Sequence, residues 1–215
     1  MFPVSDVIPS RTKPVVTVAL IALTSAVFLY ELQLDRGEMY GFARSFGVVP
    51  AHVVWFHSFT SAFLHDGWIH FAGNMLYLWI FGDNVEDSLG HAGFAVFYLT
   101  AAAISAGAHA VLNPSSLAPM SGAIAAILGA YFVLYPRSQV LTAIFLVLYL
   151  DVIEIPAVIF LGVWLVMQLA AGLASMGVGA ADSGMAIGAH LTGFGVGLVT
   201  GLVLKQGQKK RGWEE

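Results

Sequence analysis

Ser121 is the residue of this sequence best placed to act as a nucleophile. It follows Pro119-Met120 and opens the apolar run Ser121-Gly122-Ala123. Proline is favoured at helix starts, where its missing N–H group costs nothing, so Ser121 is expected in a first helical turn. There its hydroxyl and its own backbone N–H would lie beside unpaired N–H groups and the positive end of the helix dipole, which favour an oxyanion. A serine that merely caps the helix would occupy the same place.

His190 is suited to the role of base. His190, Gly193 and Gly197 recur at i, i+3 and i+7, so they share one helix face. The run that starts at Ser121 has a matching face of small residues, which extends to Gly129. Small residues let helices approach closely, and packing these faces together would give the nucleophile–base geometry of serine catalysis. Plain helix packing with an incidental histidine fits the same spacing.

His70 and Asn74 are candidates for stabilising an oxyanion. They are four residues apart in an apolar run, so their donors are predicted to converge on one side of a helix. Polar groups in such a run are costly and are functional candidates by default, although hydrogen bonding between helices is an alternative use. We expect His65, at the head of this run, to shape the preceding loop.

These residues together divide the work of acyl transfer. Ser121 would attack, His190 would take its proton, and His70 with Asn74 would donate to the oxyanion. The run that contains His190 has no acidic residue to orient the base, so the sequence predicts a dyad rather than a triad.

The elements that hold these residues are predicted to be membrane-spanning helices. Hydrophobic residues make up 58% of the 215 residues and charged residues only 10%, whereas soluble domains carry about 25% charged residues. The absence of cysteine excludes disulfides, thiolate catalysis and cysteine-ligated metals. Runs long enough for a crossing of about 20 residues predict an all-α membrane protein with six spans, at 14–33, 58–82, 92–112, 119–135, 156–176 and 185–204. Within 139–155 the apolar run Val140 to Leu150 is too short to cross, so this segment is expected to be interfacial or re-entrant.

The distribution of basic residues predicts the orientation. With six spans both termini lie on one side, where seven lysines and arginines would fall, against Arg36 and Arg44 on the other. This bias predicts cytoplasmic termini, with short tails of about 1–13 and 205–215 on a single membrane domain, 1–215. Trp55 and Phe56 suit an interfacial first outer loop.

At these positions the chain resembles the rhomboid family of intramembrane serine proteases. The resemblance runs from about Thr60 to Gly201. It rests on His65-x4-His70-x3-Asn74 with the later Gly82-Asp83-Asn84-Val85-Glu86, on Ser121-Gly122-Ala123-Ile124, and on Ala189-His190-x2-Gly193-x3-Gly197. Two features depart from the family pattern: Pro119-Met120 stands in place of Gly-x before the serine, and Phe56-His57 in place of a Trp-Arg pair.

The resemblance implies a six-helix bundle with the catalytic residues Ser121 and His190. His70, Asn74 and the backbone N–H of Ser121 would stabilise the oxyanion, with support from His65, Gly122, Gly193 and Gly197. It implies no cofactor and no metal, and as partners the lipid bilayer and the transmembrane segments of single-span proteins, without nucleic acid. The expected location is a bacterial inner membrane, with the fifth span as a lateral gate and the first outer loop as a support.

Three other functions fit parts of the pattern. A non-catalytic relative that binds transmembrane helices would need the groove but not the dyad, and Pro119 favours this alternative. A small transporter would also use intramembrane histidines, although paired broken helices are not evident. A zinc protease could use His65, His70 and His190, but H-E-x-x-H is absent.

Overall fold

The chain folds mainly into helices. A computed structural model describes residues 2–49, 55–112, 121–146, 149–177 and 187–210. The helices are α1 (Val15–Glu31), α2 (Arg36–Phe46), α3 (His57–Thr60) with a 3-10 turn (Ser61–Phe63), α4 (Trp68–Leu89), α5 (His91–Leu112), α6 (Gly122–Leu134), α7 (Ala157–Gly177) and α8 (Ile187–Lys210). The strands are β1 (Phe2–Asp6), β2 (Gln139–Leu146) and β3 (Tyr149–Pro156).

Each of the six predicted spans overlaps one of the long helices α1, α4, α5, α6, α7 and α8. Two described stretches, His91–Leu112 and Ile187–Gly207, are long and apolar enough to cross a membrane by length and composition. Shorter apolar helices occupy Val15–Glu31, Gly122–Leu134 and Ala157–Leu173. The number of crossings therefore stays a prediction, while each of the six segments is observed to contain a helix.

The prediction of an all-α protein is wrong at 139–155. The described parts of this segment form the paired antiparallel strands β2 and β3, and β1 pairs with β2 to complete an antiparallel sheet in the order β1-β2-β3. Hydropathy measures only whether a run is long enough to cross. The β-branched residues of Gln139–Leu146 and Tyr149–Pro156 instead favour a pleated surface, which pairing with β1 completes.

The second predicted span is not a continuous helix from residue 58. The chain makes α3 and the 3-10 turn, and α4 begins at Trp68 after Gly67, whose positive φ of 151° suits glycine. His65 therefore lies in the connection, and the helix extends past the predicted end to Leu89. A loop thus interrupts the segment that hydropathy predicts as one continuous helix.

Helix α6 is the centre of the molecule. Every residue from Gly122 to Tyr131 is buried. The backbone of α8 lies directly against it: a Cβ on Gly197 would come within 1.9 Å of the carbonyl oxygen of Ala126, and one on Gly129 within 2.2 Å of that of Phe194. The close approach expected from the small residues is therefore present, and only glycine permits it at these positions.

The sheet and the starts of α6 and α8 lie at opposite ends of the helices. Tyr131, near the C-terminal end of α6, donates a hydrogen bond to Asp6 of β1. Glu86, near the C-terminal end of α4, accepts hydrogen bonds from the backbone N–H groups of Val16 and Thr17 at the start of α1. These contacts fix the end that holds the sheet, and α6 and α8 begin at the other end.

Candidate active site

Ser121 lies at the N-cap position of α6, but its side chain makes no capping hydrogen bond. Its hydroxyl instead forms a hydrogen bond with Nε2 of His190. The serine is 5% exposed and the histidine is half-buried, so the contact is partly shielded from solvent. The hydroxyl therefore faces the histidine rather than the helix that it begins.

His190 lies in the first turn of α8, and close packing of α8 on α6 brings it to Ser121. A Cβ on Gly193 would lie 2.0 Å from the carbonyl oxygen of Gly122, and one on Gly122 would lie 2.3 Å from the Cβ of Ser105. The two glycines therefore let α8, α6 and α5 meet next to the serine. Any larger side chain there would push the histidine away from the hydroxyl.

The second ring nitrogen of His190 also has a partner. Its Nδ1 lies 2.9 Å from Oε1 of Gln168 on α7. The aromatic ring of Trp164, one turn earlier on α7, lies 6.1 Å from the imidazole, centroid to centroid. Gln168 is not among the site residues predicted from the sequence, although a lone amide within an apolar span is a signal of such a role.

Asn74 and His65 form a buried pair at the head of α4. The amide nitrogen Nδ2 of Asn74 donates to Nε2 of His65 at 3.0 Å, and Nδ1 of His65 lies 3.3 Å from the carbonyl oxygen of Phe63. The exposed fractions of His65 and Asn74 are 3% and 9%. One amide hydrogen of Asn74 is thus committed to His65, which leaves the second for another acceptor.

His70 has a different neighbour from Asn74. Its Nδ1 lies 2.7 Å from a carboxylate oxygen of Asp66, one turn earlier. It also lies within electrostatic range of His190 on α8. Its ring centroid is 5.0 Å from that of His65, the residue to which Asn74 donates. The hydrogen bonds of His70 and Asn74 go to different residues, so their convergence on one oxyanion stays a prediction.

The described residues contain no group of three or more His, Cys, Asp or Glu that could hold a metal ion. His65 and His190, two of the three histidines considered as zinc ligands, have hydrogen-bonding partners for both ring nitrogens. Pro119 and Met120, the departure from the family pattern, lie outside the described residues.

Comparison with known proteins identifies the family. The family model described as "Rhomboid domain" matches residues 52–207. The chain is 33% identical over 139 residues to the rhomboid protease GluP of Bacillus subtilis (strain 168), which covers 61% of this chain but only 27% of that relative. It is 28% identical over 210 residues to the rhomboid protease GlpG of Salmonella choleraesuis (strain SC-B67), which covers 98% of this chain and 70% of that protein.

The family match and the apolar helices agree on an integral membrane protein. The matched region includes the starts of α4, α6 and α8, which carry the contacts between Ser121 and His190 and between His65 and Asn74. This chain belongs to the rhomboid family.

Proposed function

We propose that this protein is an intramembrane serine endopeptidase that uses Ser121 and His190 as a catalytic dyad. The observation that carries the proposal is the hydrogen bond from the Ser121 side chain to Nε2 of His190, made in place of a helix cap. A hydroxyl is a weak nucleophile unless an adjacent base accepts its proton. The family relatives, which are named as proteases, support the same reaction class.

In the proposed reaction Ser121 attacks the carbonyl carbon of a peptide bond while His190 takes the hydroxyl proton. At the start of α6 the N–H of Ile124 donates to the carbonyl oxygen of Ser121. Helix geometry leaves the N–H groups of Gly122 and Ala123 without an acceptor in the helix, so these two can donate to the resulting oxyanion. The backbone N–H of Ser121, with His70 and Asn74, would supply further donors. His190 then returns its proton to the leaving amine, and a water molecule hydrolyses the acyl-enzyme with the same histidine as base.

The proposed substrates are transmembrane segments of single-span proteins within the lipid bilayer. A peptide bond inside a regular helix has its carbonyl hydrogen-bonded, so it becomes reachable only after local unwinding. Unwinding in hydrocarbon leaves backbone groups unsatisfied at several kcal/mol each, unless they enter a wet cavity. Substrate helices with Gly, Pro or Ser near the outer end should therefore be preferred.

The proposed orientation has both termini in the cytoplasm of a bacterium, with six crossings of the inner membrane. Arg137 and the sheet formed by β1, β2 and β3 lie at the same end of the helices. The starts of α6 and α8 would then face the outer side. A first outer loop in the interface and entry of substrate beside α7 belong to the same proposal.

The decisive experiment is labelling of the purified protein in detergent by a fluorophosphonate, which reacts with an activated serine. We expect labelling of the wild-type protein and none of Ser121→Ala or His190→Ala. Both variants should also lose cleavage of a single-span substrate in liposomes while their circular dichroism stays unchanged. Turnover near the wild-type rate in either variant would refute the dyad, and a wild-type protein that neither labels nor cleaves would favour a non-catalytic helix-binding function.

Substrate selection is tested separately, with a series in which Gly in the outer third of the substrate helix is replaced by Leu. Mass spectrometry of the products should show cuts near the outer end that decline along the series, while binding persists. Equal cleavage of poly-Leu helices, or cuts at the cytoplasmic end, would contradict selection by local unwinding.

A further inference from the structure

The side-chain amide of Gln168 on α7 lies against His190. Its Oε1 lies 2.9 Å from Nδ1 of His190, and its side chain is half-buried. Its neighbours Met167 and Leu169 are exposed, at 65% and 45%. An amide in a span is costly unless it has a partner, and here the partner is the histidine that contacts Ser121.

Trp164 approaches the same imidazole from the same face of α7. It is four residues before Gln168, so the two side chains project in one direction. The Trp164 ring is also stacked with that of Phe194 on α8, at a centroid distance of 5.8 Å. The histidine therefore has an aromatic ring on one flank and an amide acceptor at its far nitrogen, two independent constraints on its orientation.

The amide oxygen determines which nitrogen of a neutral imidazole carries the hydrogen. A carbonyl oxygen only accepts, so the Nδ1 that faces it must be the N–H. A neutral ring has one N–H, which leaves the lone pair on Nε2, facing the Ser121 hydroxyl. In the other tautomer Nε2 would carry the hydrogen and could not accept the serine proton.

We infer that Gln168 is a positioning residue, which holds His190 in the tautomer and orientation that let Nε2 accept the proton of Ser121. The inference rests on the proposed dyad and extends it, because it assigns to α7 a role in keeping the base ready. A neutral amide can orient the histidine without the acidic third residue of a triad, which fits the absence of acidic residues in α8.

The test compares Gln168→Leu with Gln168→Glu. Gln168→Leu removes the acceptor, so kcat should fall about 10- to 100-fold with KM little changed, since the substrate-binding surface is kept. Gln168→Glu restores an acceptor and adds a negative charge, which should recover most of kcat and move the acidic limb of the pH–rate profile to higher pH. Among the described residues His70 is the titratable group in electrostatic range of His190, so both profiles are repeated in a His70→Asn background. The matched control is Met167→Leu on the exposed face of α7.

A readout that does not depend on turnover is the nitrogen NMR spectrum of ring-labelled histidine, with His190→Asn used to assign the signals. We expect the Nδ1–H tautomer at residue 190 in the wild-type protein and a mixture of tautomers in Gln168→Leu. An Nε2–H tautomer in the wild-type protein would overturn the inference. So would a Gln168→Leu variant with wild-type kcat, pH profile and spectrum.

The two proposals can fail separately. If fluorophosphonate labels Ser121 but the Gln168 variants match the wild-type protein, the positioning role fails and the dyad stands. If the wild-type protein is not labelled, the dyad fails, and the tautomer of His190 still decides whether Gln168 holds the ring. If Gln168→Leu does not fold, the positioning role is tested by the acidic limb of the pH–rate profile of Gln168→Glu and by the nitrogen NMR spectrum of the wild-type protein.

Discussion

The side-chain amide of Asn74 donates a hydrogen bond to Nε2 of His65 at 3.0 Å. The bond joins the body of α4 to the loop before it, because His65 precedes the start of the helix at Trp68. The backbone N–H of His65 in turn contacts the buried carboxylate of Glu31, at 3.2 and 3.4 Å from its two oxygens. One N–H of the Asn74 amide is therefore committed to His65, and the second can donate to another acceptor in the candidate active site.

Asn74→Ala should lower kcat for a membrane substrate by about 10- to 1000-fold, since an oxyanion donor typically contributes 2.7–4 kcal/mol or less when others remain. The measurement is initial cleavage rate in liposomes at saturating substrate. Asn84→Ala, on the same helix but bonded to the Ile8 carbonyl at the other end, is the control. It should reduce stability more than rate, and an equal loss of rate in both variants would remove Asn74 from the proposed machinery.

Gly193→Ala should be destabilising and nearly inactive, whereas Gly195→Ala should be tolerated. A Cβ at residue 193 would lie 2.0 Å from the carbonyl oxygen of Gly122, while at residue 195 nothing lies within 4 Å. Gly193→Ala should lower the free energy of unfolding by about 1–3 kcal/mol or more and separate Ser121 from His190. Gly195→Ala should be neutral or stabilise the helix by up to about 1 kcal/mol. Thermal unfolding followed by circular dichroism, together with fluorophosphonate labelling, checks both, and similar behaviour of the two variants would contradict the backbone packing described for α6 and α8.

Glu86→Gln should lower the free energy of unfolding. The Glu86 carboxylate is 1% exposed and accepts from the N–H groups of Val16 and Thr17 at 2.9 and 2.8 Å, and from the Thr17 hydroxyl at 2.7 Å. Pro14, the N-cap residue of α1, makes no side-chain capping hydrogen bond. The Glu86 carboxylate therefore caps the N-terminus of α1 in its place.

A double-mutant cycle of Glu86→Gln with Thr17→Val measures the coupling, which we expect at about 0.5–3 kcal/mol. If the two changes alter the free energy of unfolding additively, the Thr17 hydroxyl contributes nothing to the interaction of Glu86 with α1. Cleavage per folded molecule should be preserved in both single variants, because this interaction lies at the end of the helices away from Ser121.

Asp6 should make stability depend on pH. Burial raises the pKa of Asp6 to about 6 from its ordinary value of 3.8, with a further increase from the charge of Asp83, against the hydrogen bond from Tyr131. The folded protein therefore binds more protons than the unfolded chain between about pH 4 and 6, so the free energy of unfolding should decrease as pH rises through this window and level off above it.

The comparison is the pH dependence of thermal unfolding in wild-type protein and in Asp6→Asn, which should lose this component of the slope. Asp151→Asn, at an exposed position of β3, is the control and should keep it. An unchanged slope in Asp6→Asn would mean that other groups determine the dependence.

The sequence was informative where chemistry and helix geometry coincide. The spacing of His190, Gly193 and Gly197 predicts a face that can lie against α6, and the contact between Ser121 and His190 has the expected partners. The spacing cannot show which side chain faces the far nitrogen of the histidine. Gln168 comes from another helix, and its distance from residue 190 along the chain carries no periodic signal.

The sheet was missed for a different reason. Hydropathy treats Val140 to Leu150 as a short apolar run and does not register the pairing of β2 with β3. The strand that completes the sheet, β1, lies far away along the chain. The same limit applies at the head of α4, where Gly67 rather than any change in hydropathy sets the start of the helix.

The pairing of β1 with β2 also constrains how the protein is made. Phe2 pairs with Ala143, so these partners are about 140 residues apart along the chain, and a ribosome releases the first strand long before the second exists. Until then the N–H and C=O groups of β1 need water as a partner, which keeps this strand out of the bilayer. A bulky fusion ahead of Phe2 should therefore slow the last step of assembly more than it disturbs the helices.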